Sequence, residues 1–454
     1  MAVISVAKLS ELEGAKRLDA EYYRPEYSYL LANLYRTGAL PVKIVAVPVK
    51  RKFRPLEGEY FDYIEIAEVD LSTGEFNASK IIGEEAPNRA QWVVKRDDIL
   101  ISTVRPIRNA VVWVRDEKEN LVCSSGFAVI HPTSVSSEYL FIYFKTEYIA
   151  KLLDRYTTAT EYPAVTWKDI LNIPVFLGNK ELRSEITEDV NKAFTLLEES
   201  QISFSQAEDL LLEELRLKNF KPKYELSYVT KLSQAFNAHR IDAEYFQPVY
   251  DKLLKYLVNN FETIPLKRLI FGFQKGIEVG SENYEEDGIP FIRVSNLSVH
   301  GFVKKDQKYI DEDLYKTLKE TYEPKVGDLL LTKDATPGIA FIVKEPVEGI
   351  IASGILKLKL DEEKIDKEYL ALFINSIVGK LQIERDSGGS VIAHCRPEQI
   401  KHLLVPLLPI ETQQQIASLV QQSHEARRRA KELLEEAKRR VEEAIESEIK
   451  QPSY

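Results

Sequence analysis

Cysteine is scarce in this sequence, which holds Cys123 and Cys395 and no other among its 454 residues. The two positions do not correspond between the two halves of the chain, so neither a disulfide framework nor a thiolate metal site is expected. Long apolar runs are also lacking, and the N-terminal stretch has no basic segment followed by an apolar one. We expect a soluble, untargeted protein that works in a reducing cytoplasm.

The usual catalytic motifs are missing as well. The sequence contains no P-loop, no G-x-G-x-x-G, no H-E-x-x-H, no C-x-x-C and no Asn-Pro-Pro-aromatic methyltransferase motif. Glu65, Glu68 and Asp70 form a group of carboxylates, but they alternate with apolar residues in the way that surface-facing strand positions do. No familiar class of enzyme is therefore indicated.

An excess of basic charge is lacking too, because the formal net charge is -10. The sum alone argues against nucleic acid as a partner, but the distribution matters more. Residues 180–218 carry ten acidic and five basic residues, whereas residues 43–54 carry five basic residues and no acidic one. Acidic and basic charge thus lie on different segments.

An internal repeat is the most informative feature that the sequence does have. Residues 17–27 read RLDAEYYRPEY and residues 240–250 read RIDAEYFQPVY. In each copy a proline, Pro25 or Pro248, opens a stretch with helical spacing, where its missing N–H costs no hydrogen bond. Later landmarks keep the same order in both copies: KRDDILIST (95–103) and KVGDLLLTK (325–333), then KDILNIPVFL (168–177) and EQIKHLLVPLL (398–408). The chain is therefore predicted to contain two diverged copies of one domain.

The pattern between these landmarks is typical of β-rich structure, with short Val-, Ile-, Phe- and Tyr-rich runs interrupted by Gly, Pro and Asn. The clearest predicted strands are FDYIEIAEVD (61–70), AVVWVR (110–115), GIPFIRVSNL (288–297) and GIAFIVK (338–344). Each half closes with apolar residues at alternating four- and three-residue steps, over 180–218 and about 410–450, which is coiled-coil spacing. Two such helices most simply pack against each other, and the first would be about 58 Å long.

With this layout the sequence resembles the specificity subunits of type I restriction-modification systems. Three motifs carry the resemblance: the opening R-[LI]-D-A-E-Y-[YF]-x-P-x-Y of both copies, the GDLLLT strand of the second copy, and the entry VPLLPIETQQQIASLV (405–420) to the last helix. The resemblance spans nearly the whole chain. The first copy departs from it, since IPVFLGNKELRSEI (173–186) lacks the second proline and the glutamine, and Asp97 stands where the second copy has Gly327.

The resemblance implies an α+β fold. It has two β-rich target recognition domains in tandem, each followed by a long helix, and the two helices pair as an antiparallel coiled coil. The expected boundaries are 1–178 for the N-terminal recognition domain, 179–222 for the first long helix, 223–408 for the C-terminal recognition domain and 409–454 for the second long helix.

The resemblance also implies a non-catalytic subunit that reads double-stranded DNA and scaffolds two methyltransferase subunits, with motor-nuclease subunits joining them. Those partners would methylate and cleave, and the methyltransferases would bind S-adenosylmethionine, so this chain needs neither cofactor nor metal. Because the copies have diverged, the implied target is bipartite and asymmetric, with one domain for each half-site. The alternative is a coiled-coil interaction scaffold with two β-rich binding modules and no DNA role. A nuclease with an unrecognised carboxylate cluster is a third interpretation.

Candidate DNA contacts come from loops that follow strands, since such loops are positioned rigidly and offer Lys, Arg and backbone amides to phosphates. Arg suits guanine and Asn suits adenine in the major groove. For each candidate a solvated loop or a surface ion pair is the alternative, and His394 beside Cys395 is not expected to bind a metal or to act as a nucleophile. The predicted DNA-binding residues are Lys50, Arg51, Lys52, Arg54, Arg105, Arg108, Asn109, Arg155, Thr158, Thr160, Tyr162, Lys333, Asp334, Thr336, Ser387, Gly388, Gly389, Ser390, His394 and Arg396.

Overall fold

The computed structural model describes residues 6, 8–15, 17–158, 163–388 and 393–450. The chain divides into two compact units, and we call Met1–Leu197 with Arg428–Tyr454 unit 1 and Glu198–Arg427 unit 2. Each unit contains part of both long helices. Within the described ranges, no helix combines the length and the hydrophobicity needed to cross a membrane.

Unit 1 begins with short helices and continues with two sheets. Its helices are α1 (Leu9–Ala15), α2 (Pro25–Arg36), α3 (Val42–Val45), α4 (Ser137–Lys145), α5 (Glu147–Arg155), α6 (Trp167–Asn172) and the first part of α7 (Lys180–Glu214). Its strands are β1 (Leu40–Pro41), β2 (Ala46–Pro48), β3 (Tyr60–Val69), β4 (Phe76–Ile82), β5 (Ala90–Val93), β6 (Ile99–Ser102), β7 (Val111–Trp113), β8 (Leu121–Ser124), β9 (Phe127–Pro132) and β10 (Pro174–Val175).

The two sheets of unit 1 differ in the direction of their strands. One has the order β2-β9-β6-β7 and is antiparallel throughout, with Ile99 opposite both Trp113 and Ile130. The other has the order β4-β3-β8-β5, in which β3 and β8 run parallel and Asp62 faces Leu121. Strands β6, β7 and β8 are buried along their whole length. A strand buried on both faces reads as a continuous apolar run, as these three do.

Unit 2 has the same kinds of element in a similar order. Its helices are α8 (Leu232–Ala238), α9 (Pro248–Asn260), α10 (Glu312–Tyr322), α11 (Lys367–Asn375), α12 (Ile377–Asp386), α13 (Pro397–Ile400) and the first part of α14 (Ile410–Lys450). Its strands are β11 (Thr263–Pro265), β12 (Ile270–Lys275), β13 (Ile289–Ile292), β14 (Leu297–Ser298), β15 (Gly301–Phe302), β16 (Lys308–Ile310), β17 (Leu329–Thr332), β18 (Asp334–Ala335), β19 (Ala340–Ile342), β20 (Ile350–Ile351), β21 (Ile355–Leu360), β22 (Ala393–His394) and β23 (Leu404–Pro406).

The sheets of unit 2 repeat the topology of unit 1. The order β12-β21-β17-β19 is antiparallel throughout and matches β2-β9-β6-β7. The order β16-β13-β20 contains one parallel pair, with Phe291 facing Ile350, and matches the sheet built on β3 and β8. The ribbon β11-β23 matches β1-β10. The repeat read from the sequence is thus a repeat of fold, and the predicted strands around 61–70, 110–115 and 338–344 are confirmed. The predicted strand 288–297 is a strand at Ile289–Ile292, followed by a 3-10 helix at Val294–Asn296.

The long helices pack along the predicted seams. In unit 1, one core contains Ile186, Val190, Ala193 and Leu197 of α7 together with Ala430, Leu434, Ala437, Val441 and Ile445 of α14. In unit 2, another core contains Ala207 and Leu211 of α7 together with Ile416 and Val420 of α14. Each unit therefore joins an early part of one helix to a late part of the other, which is the order of an antiparallel coiled coil. The predicted fold class is confirmed.

The first long helix ends earlier than the segment with coiled-coil spacing. Helix α7 stops at Glu214, and Arg216 takes the left-handed conformation with a φ of 55°. The N–H of Leu217 donates to the carbonyl of Leu212 (2.7 Å), which closes the end of the helix as a C-terminal capping motif does. Leu217 is buried beneath this turn. The domain boundaries given above remain predictions.

Candidate nucleic-acid interface

The central strand of each antiparallel sheet starts from the same tight turn. Asp98 and Asp328 each accept a hydrogen bond from the backbone N–H three residues earlier, at 2.8 and 2.7 Å. The residue before each aspartate has a positive φ, 70° at Asp97 and 90° at Gly327. Glycine adopts this conformation freely, whereas a side chain costs roughly 1 kcal/mol there. Asp97, which stands where the second copy has Gly327, therefore adopts the same turn at this small cost.

In unit 1 a loop with three predicted DNA contacts follows this central strand. Arg105 and Asn109 both have left-handed backbone conformations, with φ of 45° and 58°. The N–H of Arg105 donates to the carbonyl of Pro163 at 2.7 Å, and the Asn109 side-chain amide donates to the carbonyl of Lys145 at 2.8 Å. Arg108 is exposed between them. The loop is thus anchored through its backbone and through Asn109.

A second loop, which follows helix α5, pairs with the first. Thr158 and Ala164 exchange backbone hydrogen bonds of 2.9 and 3.1 Å, and Ala164 also lies opposite Val104. The N–H of Val165 donates to the carbonyl of Thr103 at 2.9 Å. Residues 103–109 with 156–158 and 163–166 therefore form one surface, which we call loop pair 1.

Unit 2 has the same arrangement, which we call loop pair 2: residues 333–338 with 386–388 and 393–396. Gly388 and His394 exchange backbone hydrogen bonds of 2.9 and 2.8 Å. Strands β18 and β22 pair Asp334 with His394, and the N–H of Cys395 donates to the carbonyl of Lys333 at 2.8 Å. The structure therefore brings together candidates that the sequence places about sixty residues apart, such as Asp334 and His394.

The charges of loop pair 2 largely neutralise one another. The Asp334 carboxylate forms an ion pair with Lys333, and its Oδ1 lies 2.9 Å from Nδ1 of His394. Burial opposes ionisation of this carboxyl, but the hydrogen bonds from Lys333 and His394 prevail and hold the pKa of Asp334 below its usual value. Thr336 and Arg396 are exposed beside this cluster.

The basic loop of unit 1, residues 49–55, divides into exposed and anchored cations. Lys50, Lys52 and Arg54 are exposed, and the Lys50 ammonium lies 5.6 Å from the ring centre of Trp167 at the end of loop pair 1. Arg51 is instead held by an ion pair with the fully buried carboxylate of Asp98. Three cations of this loop thus face solvent, and Lys50 lies near Trp167, the residue that follows loop pair 1.

Two predicted contacts are mostly buried. Arg155 is 8% exposed, its Nε donates to the carbonyl of Tyr22 at 3.1 Å, and its guanidinium lies over the Tyr22 ring at 4.4 Å. Lys333 is 9% exposed. Arg155 therefore packs against the first copy of the repeated phrase, and both side chains offer little surface to a ligand.

The remaining candidates fall into two groups. Thr160, Tyr162, Gly389 and Ser390 lie outside the described residues. Ser387 is half-buried, and its hydroxyl donates to the carbonyl of Ile383 at 2.7 Å. Every DNA contact in the predicted set remains a prediction.

Sequence reasoning missed Arg17 and Arg240 as members of these surfaces. Arg17 forms an ion pair with Asp19 at 2.5 Å, a contact between residues two positions apart, but the sequence did not connect either arginine with a loop. The signal that could have found them is the repetition itself, because both arginines open the repeated phrase.

Neither cysteine shows features of a reactive site. Cys123 and Cys395 are both buried and free, and burial raises the pKa of both thiols, that of Cys395 to about 12. Across the described ranges, no group of three or more His, Cys, Asp and Glu side chains could hold a metal ion.

The chain matches a known family over its second half. The sequence model described as "Type I restriction modification DNA specificity domain" matches residues 268–439, a range that includes loop pair 2 and most of helix α14. Residues 268–439 are thus similar in sequence to that family. The resemblance to the specificity subunits of type I restriction-modification systems is confirmed.

Two curated relatives are specificity subunits by name. The type I restriction enzyme HindI specificity subunit of Haemophilus influenzae is 28% identical over 109 residues, which are 23% of this chain and 23% of that protein. The putative type I restriction enzyme MjaX specificity subunit of Methanocaldococcus jannaschii is 28% identical over 164 residues, 36% of each chain. The chain therefore matches well under half the length of either relative.

Two solved structures are similar over a longer range but at low scores. The HsdS subunit from Thermoanaerobacter tengcongensis is 19% identical, with 90% of this chain and 96% of that chain covered and a TM-score of 0.33. The type I restriction-modification S subunit from M. genitalium is 11% identical, with 91% and 96% covered and a TM-score of 0.39. TM-scores this low do not by themselves establish a shared arrangement of domains.

Proposed function

We propose that this chain is the non-catalytic DNA sequence-specificity subunit of a type I restriction-modification complex. The observation that carries the proposal is the family match over residues 268–439, whose description names DNA specificity. In this proposal each unit reads one half-site of a bipartite, asymmetric target through its loop pair. The chain also scaffolds two methyltransferase subunits, and motor-nuclease subunits join when DNA is cleaved.

The contrast between the loop pairs supports the proposal. Both have the same backbone pairing, yet loop pair 1 presents Arg105 and Arg108, beside the anchored Asn109, where loop pair 2 presents Asp334 and Thr336. Arginine pairs well with guanine and asparagine with adenine, whereas a carboxylate accepts from the amino group of cytosine. Different side chains on the same backbone arrangement are suited to recognising different DNA sequences.

The exposed cations beside loop pair 1 are suited to phosphates. Lys50, Lys52 and Arg54 face solvent, and contacts of this kind fix the position of a protein on the duplex without reading its sequence. Methyl transfer, with its S-adenosylmethionine, belongs in this proposal to the partner subunits. We place the complex in the cytoplasm, where the two free cysteines stay reduced.

The direct test is the methylation pattern of the host genome. Deleting the gene should abolish methylation of one bipartite, asymmetric motif, and supplying the gene again should restore it. Replacing Arg105 and Arg108 by Ala in the complementing copy should change only one half of the motif. Unchanged methylation after deletion would contradict the proposal.

DNA binding by the purified complex distinguishes the proposal from an interaction scaffold without a DNA role. A reader that neutralises phosphates releases counterions, so its affinity for a target duplex should fall steeply as salt rises. Substituting Lys50, Lys52 and Arg54 by Gln should flatten that salt dependence. Absence of binding at every salt concentration would favour the scaffold.

A further inference from the structure

The arginine of the first repeated phrase makes more contacts than its local ion pair. Nε and Nη2 of Arg17 donate to the two carboxylate oxygens of Asp19, at 2.8 and 2.5 Å. Nη1 donates to the carbonyl of Tyr156 at 3.1 Å, and Nη2 to that of Thr157 at 2.7 Å. One guanidinium thus joins the start of the domain to the end of helix α5, about 140 residues later.

The second copy repeats these contacts. Nε and Nη2 of Arg240 donate to the oxygens of Asp242 at 2.9 and 2.5 Å. Nη1 donates to the carbonyl of Asp386 at 3.1 Å, and Nη2 to that of Ser387 at 3.3 Å. The same four hydrogen bonds from one guanidinium therefore bridge the same two regions in both units.

An aromatic ring of each phrase supports its arginine. Arg17 lies over the ring of Tyr22 at 4.7 Å, and Arg240 lies over that of Tyr245 at 4.5 Å. A second arginine also lies against each tyrosine ring, Arg155 at 4.4 Å and Arg385 at 4.8 Å. Stacking and the paired carboxylate hold the guanidinium in one orientation, which leaves its remaining donors directed at the carbonyls.

The carbonyls that receive these bonds lie at the base of the loop pairs. Helices α5 and α12 end at Arg155 and Asp386, and the carbonyls at such an end have no partner within the helix. The next residues, Thr158 and Gly388, begin the backbone pairing of each loop pair. We call residues 156–158 and 386–388 the stems of loop pairs 1 and 2.

We propose that Arg17 and Arg240 are positioning residues for DNA recognition, each of which fixes the stem of the loop pair in its own unit. This inference rests on the proposed function. The hydrogen bonds that both arginines donate to the stem go to backbone carbonyls, so they do not require a particular side chain there. The first stem residue is Tyr156 in one unit and Asp386 in the other. Because these hydrogen bonds do not depend on the side chains of the stem, the repeated phrase can stay the same in both units while their loops differ.

Hydrogen exchange in the assembled complex tests the structural half of the proposal. In Arg17→Ala the backbone amides of Thr158 and Ala164 should exchange about tenfold faster than in the wild type. The contacts that Arg17 makes with the stem should stabilise it by about as much as one hydrogen bond to a charged group, and the variant loses them. Those of Gly388 and His394 should not change. Arg240→Ala should give the opposite pattern, and each variant is the control for the other. Unchanged exchange at the stems would overturn the proposal.

A charge swap separates the carbonyl contacts from the ion pair. Arg17→Asp combined with Asp19→Arg keeps an ion pair but moves the guanidinium away from the stem, so fast exchange should persist. Restored protection would show that the ion pair alone suffices and would overturn the proposal. Arg17→Lys should be intermediate, since one ammonium cannot reproduce the planar fork. Unchanged amide exchange in strand β6 verifies that each variant is folded.

The methylation motif tests the functional half. Arg17→Ala should relax or abolish recognition of one half-site, and Arg240→Ala that of the other, in a host where the wild-type gene supports methylation. Fast exchange at a stem together with an unaltered motif would overturn positioning while leaving the proposed function intact. Loss of methylation at the bipartite motif on gene deletion, checked in parallel, shows whether the proposed function itself holds.

Discussion

The two units share the contacts that anchor the backbone of their loop pairs and differ in the charged side chains that those loops carry. In both, an aspartate accepts the N–H three residues earlier, and an arginine of the repeated phrase donates to carbonyls at the end of a helix. The loops that these contacts support carry arginines in unit 1, but a neutralised Lys333–Asp334–His394 group in unit 2. Because the same contacts hold the loop backbone in both units, the side chains of the loops can differ between them.

The two units differ most in the contacts that support the turn at Asp98 and Asp328, before the central strand of each antiparallel sheet. Asp98 is fully buried, forms an ion pair with Arg51 and lies 3.1 Å from Nδ1 of His131. Burial raises the pKa of its carboxyl, while the N–H of Lys95, Arg51 and His131 oppose that rise. The Asp328 carboxylate accepts from the N–H of Lys325 at 2.7 Å and favours the charged form of Lys357. The same turn is therefore reinforced by a direct ion pair in unit 1.

The largest expected effect follows from this contrast. Asp98→Ala should lower the free energy of unfolding of unit 1 by about 3 kcal/mol, because it leaves a half-buried guanidinium without its partner. Asp328→Ala should cost unit 2 about 2 kcal/mol, because its carboxylate accepts a charge-assisted hydrogen bond in the turn. All three tryptophans, Trp92, Trp113 and Trp167, lie in unit 1, so their fluorescence follows that unit, and hydrogen exchange follows unit 2.

Asparagine variants serve as controls for that comparison. Asp98→Asn keeps an acceptor for the turn but loses the charge, so it should recover part of the stability, and Asp328→Asn should be close to wild type. Equal costs for the two alanine variants would show that Arg51 and His131 add nothing to the turn.

A second contrast lies at the last residue of two equivalent helices. Helix α4 ends at Lys145, whose buried ammonium donates to the carbonyl of Leu71 at 2.8 Å. Helix α11 ends at Asn375, whose amide exchanges hydrogen bonds of 2.7 and 2.9 Å with the backbone of Ala340. Burial lowers the pKa of Lys145 to about 8, although Asp70 and Glu435 favour its charged form. Unit 1 thus carries a buried charge where unit 2 has a neutral amide.

The stability of unit 1 should therefore increase with pH in the alkaline range. Below about pH 8, Lys145 is protonated in both the folded and the unfolded state, and folding bears the free-energy cost of burying its charge. Between about pH 8 and pH 10.5, only the unfolded chain keeps the proton, so the folded state no longer bears that cost. Relative to Lys145→Met, the wild-type free energy of unfolding should rise by roughly 2 kcal/mol between pH 7 and pH 10. Tryptophan fluorescence during urea denaturation measures it.

Asn375→Leu is the matched control, because it removes a group that does not titrate. Its cost, measured by hydrogen exchange in unit 2, should be the same at pH 7 and pH 10. A difference between wild type and Lys145→Met that stays constant with pH would contradict a lowered pKa for Lys145.

The sequence was sufficient to predict the elements that depend on periodicity and on local chemistry. Both helices that begin at Pro25 and Pro248, the central strands after Asp98 and Asp328, and the long seams all follow from spacing and from fixed backbone preferences. The internal repeat also made the prediction easier, because each of these elements occurs twice in the sequence. The local pair of Arg17 and Asp19 is two residues apart and was equally accessible.

Contacts between distant segments could not be predicted in the same way. Nothing in the sequence indicates that Arg17 reaches Thr157, or that Arg155 is buried against Tyr22, because both contacts depend on where helix α5 ends in space. Charge alone also misled for Arg51, which looks like its exposed neighbours Lys50 and Lys52 until the buried Asp98 is placed beside it. Burial, rather than residue type, separates these cations.

The smallest expected effect concerns the polar position of the seam in unit 2. Ser200 and Ser423 are fully buried, their hydroxyl oxygens lie 2.9 Å apart, and the Ser423 hydroxyl donates to the carbonyl of Ser200 at 2.7 Å. Ser423→Ala should lower the stability of unit 2 by about 1 kcal/mol, because the Ser200 hydroxyl loses its partner. Ser200→Ala should cost less, since Ser423 keeps its bond to the backbone carbonyl.

The double variant and unit 1 make this comparison sharper. Ser200→Ala with Ser423→Ala should cost less than the sum of the single changes, because no buried hydroxyl is left unpaired, and hydrogen exchange of the seam amides measures this coupling. In unit 1 the matched change is Ala193→Ser, which places one hydroxyl in an apolar seam and should cost about 1 kcal/mol. If the serine variants were additive, the two hydroxyls would act independently, and the polar seam of unit 2 would be no more specific than the apolar seam of unit 1.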